Sequence, residues 1–145
     1  MKKNGFTLIE LLVVATIISV LTALSIVSYT NINKRSRDTK RKSDIEQVRS
    51  ALEMFRADNG FYPPVGAGSW TDGGNLSASL VSSYIAGIPS DPKSPSQVYR
   101  FEATNLVSGN YYGYCLSALL EAETPTNNTC TPDTVNSHNY GVKSP

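Results

Sequence analysis

One histidine (His138), two cysteines (Cys115 and Cys130) and one tryptophan (Trp70) are all that this 145-residue chain holds of those three types. So few imidazoles and thiols exclude a Cys/His zinc cage or a four-cysteine iron–sulfur site built by one chain. Charge is also scarce, at 17% of residues against the ~25% usual in soluble domains. Thirteen basic and twelve acidic side chains leave a formal net charge of +1, which gives no overall basic field for nucleic acid. No Ser/His/acid order, phosphate-cradling glycine loop or paired-carboxylate motif occurs. The expectation is therefore a protein that is not an enzyme, with no catalytic residue, cofactor or metal site.

What charge there is falls in zones. Lys2 and Lys3 open the chain, and Glu10 is the one charged residue between 6 and 33. Residues 34–58 carry eight basic side chains, from Lys34 to Arg56, against five acids. Residues 59–145 carry three basic side chains against six acids. The sequence reads as an apolar stem, a basic collar and an acidic head.

The 23 uncharged residues from Leu11 to Asn33 would span roughly 35 Å as a helix at ~1.5 Å per residue, enough for a ~30 Å hydrocarbon core. A secretory signal peptide also begins with a basic region. Its apolar part, however, is only ~7–15 residues and ends at a small-residue cleavage site, neither of which fits here. Glu10 stands out in either reading, because a carboxylate at the start of an apolar helix costs a few kcal/mol to insert unless it lies at the interface or finds a partner.

Gly5-Phe6-Thr7-Leu8-Ile9-Glu10 behind a short basic leader resembles the class III signal of type IV pilins and type II secretion pseudopilins. That motif is a Gly, an apolar residue that is usually Phe, a Glu five positions after the Gly, and an unbroken apolar helix. The resemblance implies cleavage between Gly5 and Phe6 by a prepilin peptidase, N-methylation of Phe6, and retention of the apolar segment. It also gives Glu10 a partner, the amino-terminal ammonium of a neighbouring subunit's Phe6 in a packed filament. A buried charge is tolerable when paired and strongly destabilising when its partner is removed.

The proline that kinks this segment in many members has no counterpart here, Val27 lying about where it would fall. Counting Lys and Arg alone would keep residues 34–42 in the cytoplasm, whereas the resemblance puts that run outside. It thus implies a single pass through the cytoplasmic (inner) membrane, an inner-membrane assembly platform as partner, and a homo-oligomeric filament as product.

Beyond the stem, residues 34–58 lack Gly and Pro, and Ile45, Val48, Leu52 and Phe55 recur at helical spacing. Asn59-Gly60 supplies a helix stop, with Pro63-Pro64 after it. One helix from Phe6 to about Asp58 is predicted, its second half packing on the head through that stripe. The run Lys34–Lys42 reads as a solvated face near lipid headgroups, or as a partner for the acidic heads of neighbouring subunits; nothing in it specifies nucleic acid.

In the head, Asn75 is placed to cap a short helix through Leu80, Val81 and Ile85. Gln97–Ala103 and Tyr111–Leu120 read as strands, and His138–Val142 as a weaker third. Residues 59–75, rich in Gly, read as a long loop, and the lone His138 as part of a polar tail. Asp58-Asn59-Gly60-Phe61-Tyr62-Pro63 and Ile88-Pro89-Ser90-Asp91-Pro92 also resemble pseudopilin segments. The likeness spans residues 1–64 well and 84–101 loosely. The fold class expected is α+β and pilin-like: leader 1–5, helix halves 6–33 and 34–58, and a small antiparallel sheet head over 59–145.

Many pseudopilins hold calcium in a late loop through Asp and carbonyl oxygens. From Cys115 onward this chain offers only Glu121, Glu123 and Asp133, so no such site is expected. Cys115 and Cys130 are either free thiols or a bridge closing the polar loop, worth ~3 kcal/mol if formed and indicating an oxidising compartment. The arrangement resembles the carboxy-terminal disulfide region of type IV pilins.

The function expected is a structural subunit of a type IV pilus-like filament, with a type II secretion pseudopilin as the alternative. A membrane-anchored extracytoplasmic binding domain is the rival from another class. It would keep its amino terminus uncleaved, remain monomeric and tolerate Glu10→Ala.

Overall fold

The computed structural model describes residues 5–122, 130 and 138–145, with only the backbone at 25–28. Helix α1 runs from Leu8 to Asn59, 52 residues or about 78 Å at 1.5 Å per residue. It starts two residues later than predicted because Thr7 is its cap. The Thr7 side chain accepts from the Glu10 amide while the Glu10 carboxylate accepts from the Thr7 amide, a reciprocal capping box. The stop falls where the sequence placed it: Gly60 takes φ 81° and its N–H reaches the Arg56 carbonyl at 2.7 Å.

The head is a four-stranded antiparallel sheet in the order β1 (Thr71–Asp72), β2 (Arg100–Val107), β3 (Asn110–Ala118), β4 (Tyr140–Lys143). Its register pairs Phe101 with Leu116 and Ala103 with Tyr114. These side chains face α1, whose Ile45, Val48 and Leu52 are at most 1% exposed. The stripe read from the sequence is thus the helix's contribution to the core, with Phe55 at its half-buried edge. Ser108 and Gly109 both adopt positive φ, 51° and 88°, closing the β2–β3 hairpin with the handedness that suits twisted strands.

Several local expectations are corrected. β2 begins at Arg100, not Gln97, and continues to Val107; β3 stops at Ala118; β4 begins at Tyr140, not His138. Ahead of the strand, the Gln97 side chain accepts from Arg41 and the Tyr99 hydroxyl donates to Asp44, both on α1, while the Tyr99 carbonyl accepts from the Gly73 amide. The loop 59–75 contains the short strand β1, paired with Arg100 and Phe101. Asn75 is not a cap. Asp72 caps a 3-10 turn over Gly73–Leu76 by accepting from the Gly74 amide at 2.8 Å, and the following α2 (Ser77–Leu80) ends early. There Val81 turns extended and Ser82 takes φ 74°, so Ile85 reaches the core through a turn.

Candidate functional site

The processing segment lies at the free end of α1. Gly5, Phe6 and Thr7 precede the helix and are exposed, so the Gly5–Phe6 bond lies in non-helical chain, and a Cβ at Gly5 would meet nothing within 4 Å. One oxygen of Glu10, Oε2, accepts from the Thr7 amide at 2.8 Å and from the Thr7 hydroxyl at 2.7 Å. Among the described residues Oε1 has no partner. The carboxylate is therefore held at the tip of the helix, with one oxygen open.

The stem that follows is uncovered by its own chain. Every large apolar side chain described from Phe6 to Leu24 is at least 48% exposed, on a helix long and apolar enough to cross a membrane. Burying these side chains in lipid or among other stems is worth on the order of tens of kcal/mol, which outweighs the few kcal/mol of one carboxylate. The hydroxyls of Thr16, Ser19 and Thr22 donate to the carbonyls of Val13, Ala15 and Ile18, so they add no unpaired donor to an apolar surrounding.

At the collar the structure departs from the sequence reading. Asp38 and Arg41 are fully buried, not part of a solvated face; Arg41 meets Asp38 one turn away on α1 and Asp91 and Glu121 of its own head. The Arg41 guanidinium donates to both oxygens of Asp91 at 2.7 and 3.1 Å and to Gln97 Oε1 at 2.9 Å. Its NH1 reaches Asp38 Oδ1 and Glu121 Oε1, both at 2.8 Å. All five N–H donors of the fork are thereby used. Arg37 grips Glu121 with two bonds of 2.8 and 2.7 Å, and Lys93 Nζ adds a third cation at 2.6 Å. Asp38 also accepts from the amides of Glu121 and Ala122. Hydrogen bonding from Arg37, then from Lys93 and Arg41, holds the Glu121 carboxyl far below the usual carboxylate range despite its burial. Burial alone would weaken the Arg41 charge, but Asp91, Glu121 and Asp38 more than offset it and push its pKa up.

This junction was missed by the sequence reading, although a signal existed. Asp38 and Arg41 continue the stripe of Ile45, Val48 and Leu52 backwards at spacings of 3 and 4, so they lie on the face turned to the head. Beside it, the Tyr99 hydroxyl donates to Asp44 at 2.7 Å; burial, then Asp44, raises its pKa.

The carboxy-terminal segment is fixed in two further ways. Cys115 on β3 and Cys130 form a disulfide with Cα atoms 5.7 Å apart. His138, expected in a polar tail, is buried, with Nδ1 2.9 Å from the Ser117 hydroxyl. Among the described residues no group of His, Cys, Asp and Glu could hold a metal ion. Glu121 does not fit a late-loop calcium site, since both its oxygens are taken by three cations; Glu123 and Asp133 lie outside the described residues.

Comparison with known proteins places these features. Residues 1–26 match the family described as the prokaryotic N-terminal methylation motif. The type II secretion system core protein G of Escherichia coli strain K12 is 33% identical over 97 residues, which cover 63% of this chain and 67% of that protein. Its counterpart in Aeromonas hydrophila is 29% identical over 106 residues, covering 63% and 68%. The type IV major fimbrial protein FimA of Dichelobacter nodosus is 41% identical over 56 residues, covering 39% of this chain and 36% of its own length. No solved structure matches the chain significantly.

Proposed function

Since this chain belongs to the family of pilin-like filament subunits that includes type II secretion core protein G, we propose that it is cut between Gly5 and Phe6, N-methylated on Phe6 and built by its stem into a homo-oligomeric filament. The observation that carries this reading is the stem. A helix whose large apolar side chains from Phe6 to Leu24 are all at least 48% exposed has two suitable surroundings, a membrane before assembly and a bundle of identical stems after it. Leader 1–5 is lost to a prepilin peptidase, segment 6–33 spans the inner membrane and later forms the filament core, and 34–58 joins it to the extracytoplasmic head, 59–145. An inner-membrane platform would lift the subunit from one surrounding to the other.

Glu10 supplies the register. Methylation leaves the Phe6 amine able to carry a proton, and the open Oε1 of Glu10 is a fitting acceptor for that ammonium from a neighbouring subunit. In an apolar bundle an unpaired carboxylate is strongly disfavoured, so a subunit seats where the pair can form.

Two destinations fit this subunit. The disulfide favours a long surface pilus; the longer match to core protein G than to the fimbrial protein favours a short pseudopilus of the envelope. Shearing intact cells separates them. A pilus subunit is expected in the sheared fraction as long filaments, and a pseudopilin stays with the envelope. Subunits that stay monomeric in the presence of the complete assembly machinery would contradict both.

A further inference from the structure

The head covers α1 only from Arg37 and Asp38 onward, so its stem-side face is the junction where Asp38, Asp91 and Glu121 clasp Arg41. That clasp sorts charge by depth. Its acids point inward, the Asp38 and Asp91 side chains being 1% exposed and Glu121 9%, whereas Arg37 and Lys93 remain 31% and 42% exposed. One turn nearer the stem Lys34 and Arg35 are exposed, and among the described residues neither forms an ion pair. The first exposed acid of α1 past them is Glu46, about 18 Å further along the helix. A head that is acidic by count thus turns a cationic face towards its stem. We propose that this face docks on anionic lipid headgroups, with Lys34 and Arg35 among the phosphates and Arg37 and Lys93 above them.

The proposal rests on the reading of segment 6–33 as a membrane span and adds what the head meets at the surface. Asn33 ends the uncharged run, so the hydrocarbon edge falls next to Lys34 and Arg35. A headgroup layer extends some 5–8 Å beyond that edge. Arg41 lies about 10 Å past Lys34, which brings the stem-side face of the head within about one Debye length of the phosphates. Position and charge agree, because the cations stand where a bilayer carries its anions and the acids of the junction are withdrawn into the clasp. Lipid phosphates surround the stem on every side, whereas the acidic head of another subunit is present only after assembly. Leaving the bilayer for a filament must break these contacts, so the same cations help to hold the unassembled subunit in the membrane.

Electron paramagnetic resonance of the full-length protein in phosphatidylcholine vesicles with trace spin-labelled lipid tests this. The motionally restricted fraction of labelled phosphatidylcholine reports the stem in the bilayer, and so checks the membrane reading by itself. The ratio of association constants for phosphatidylglycerol over phosphatidylcholine reads the headgroup preference. Each Lys or Arg close to an anionic surface strengthens attachment about fivefold, an effect diluted here by averaging over the whole lipid shell. The parent ratio is expected above one, and Lys34→Gln combined with Arg35→Gln should lower it about twofold or more, with the restricted phosphatidylcholine fraction unchanged. Lys143→Gln is the control and should change nothing, since Lys143 lies near Arg49, about 22 Å along α1 from Lys34. Lys2 and Lys3 are the same in all three proteins, so the difference belongs to the collar. A parent ratio of one, a ratio unchanged by the double substitution, or one lowered as far by Lys143→Gln would each overturn the proposal. An unchanged ratio together with lost filaments would assign these cations to the acidic heads of neighbouring subunits instead.

Discussion

Glu10→Ala subunits enter the membrane as well as the parent protein but do not polymerise. Insertion is driven by the stem, worth on the order of tens of kcal/mol, and removing the carboxylate relieves it of a few kcal/mol. Loss of the capping box with Thr7 weakens the first turn of α1 by only about 0.5–2 kcal/mol. Assembly is different, because the terminal ammonium of each neighbouring Phe6 would be left in an apolar bundle without its partner. At about 3–5 kcal/mol for one broken buried pair, each subunit addition weakens by roughly two to four orders of magnitude. Pelleting and electron microscopy should therefore find membrane-bound monomer and no filaments. Glu10→Gln should fail in the same way, since it keeps the shape and loses the charge. Filaments of normal length and number from either variant would show that Glu10 acts only as a helix cap.

The second large effect is expected at Arg41. Arg41→Ala removes the centre of the clasp and leaves Asp38 and Asp91, each at most 1% exposed, as neighbouring carboxylates without their cation. Breaking one buried pair costs about 3–5 kcal/mol, a large share of the 5–15 kcal/mol that holds a typical domain together. Chemical denaturation read through Trp70 should show a head destabilised by at least that amount, with the apolar stem unchanged. Arg41→Lys should recover only part of the loss, because one ammonium with three donors replaces a planar fork with five. If Arg41→Ala unfolds at the same denaturant concentration as the parent, the clasp does not hold the head to the helix.

The parts legible in the sequence are those set by local pattern. The processing motif from Gly5 to Glu10 lies within six positions, the stripe from Ile45 to Phe55 repeats within one helix, and Asn59-Gly60 ends it through a single backbone conformation. What escaped depends on residues far apart in the chain. Arg41 meets Asp91 across fifty positions and Arg37 meets Glu121 across eighty-four, so in the sequence both looked like members of a solvated basic run. Two of the collar's cations are neutralised by the head they carry, and only exposed ones such as Lys34, Arg35 and Lys40 face outward. The short strand β1 and the 3-10 turn after it were equally invisible, because β1 exists only by pairing with Arg100 and Phe101.

The central claim is that the amino terminus is matured, not merely inserted. Intact-mass and amino-terminal analysis of the protein from its native membrane tests it most directly. The account predicts a chain that begins at Phe6, lacks residues 1–5 and is heavier by one methyl group on its terminal nitrogen. A chain that still begins at Met1, or one cut after the apolar stem, would contradict it.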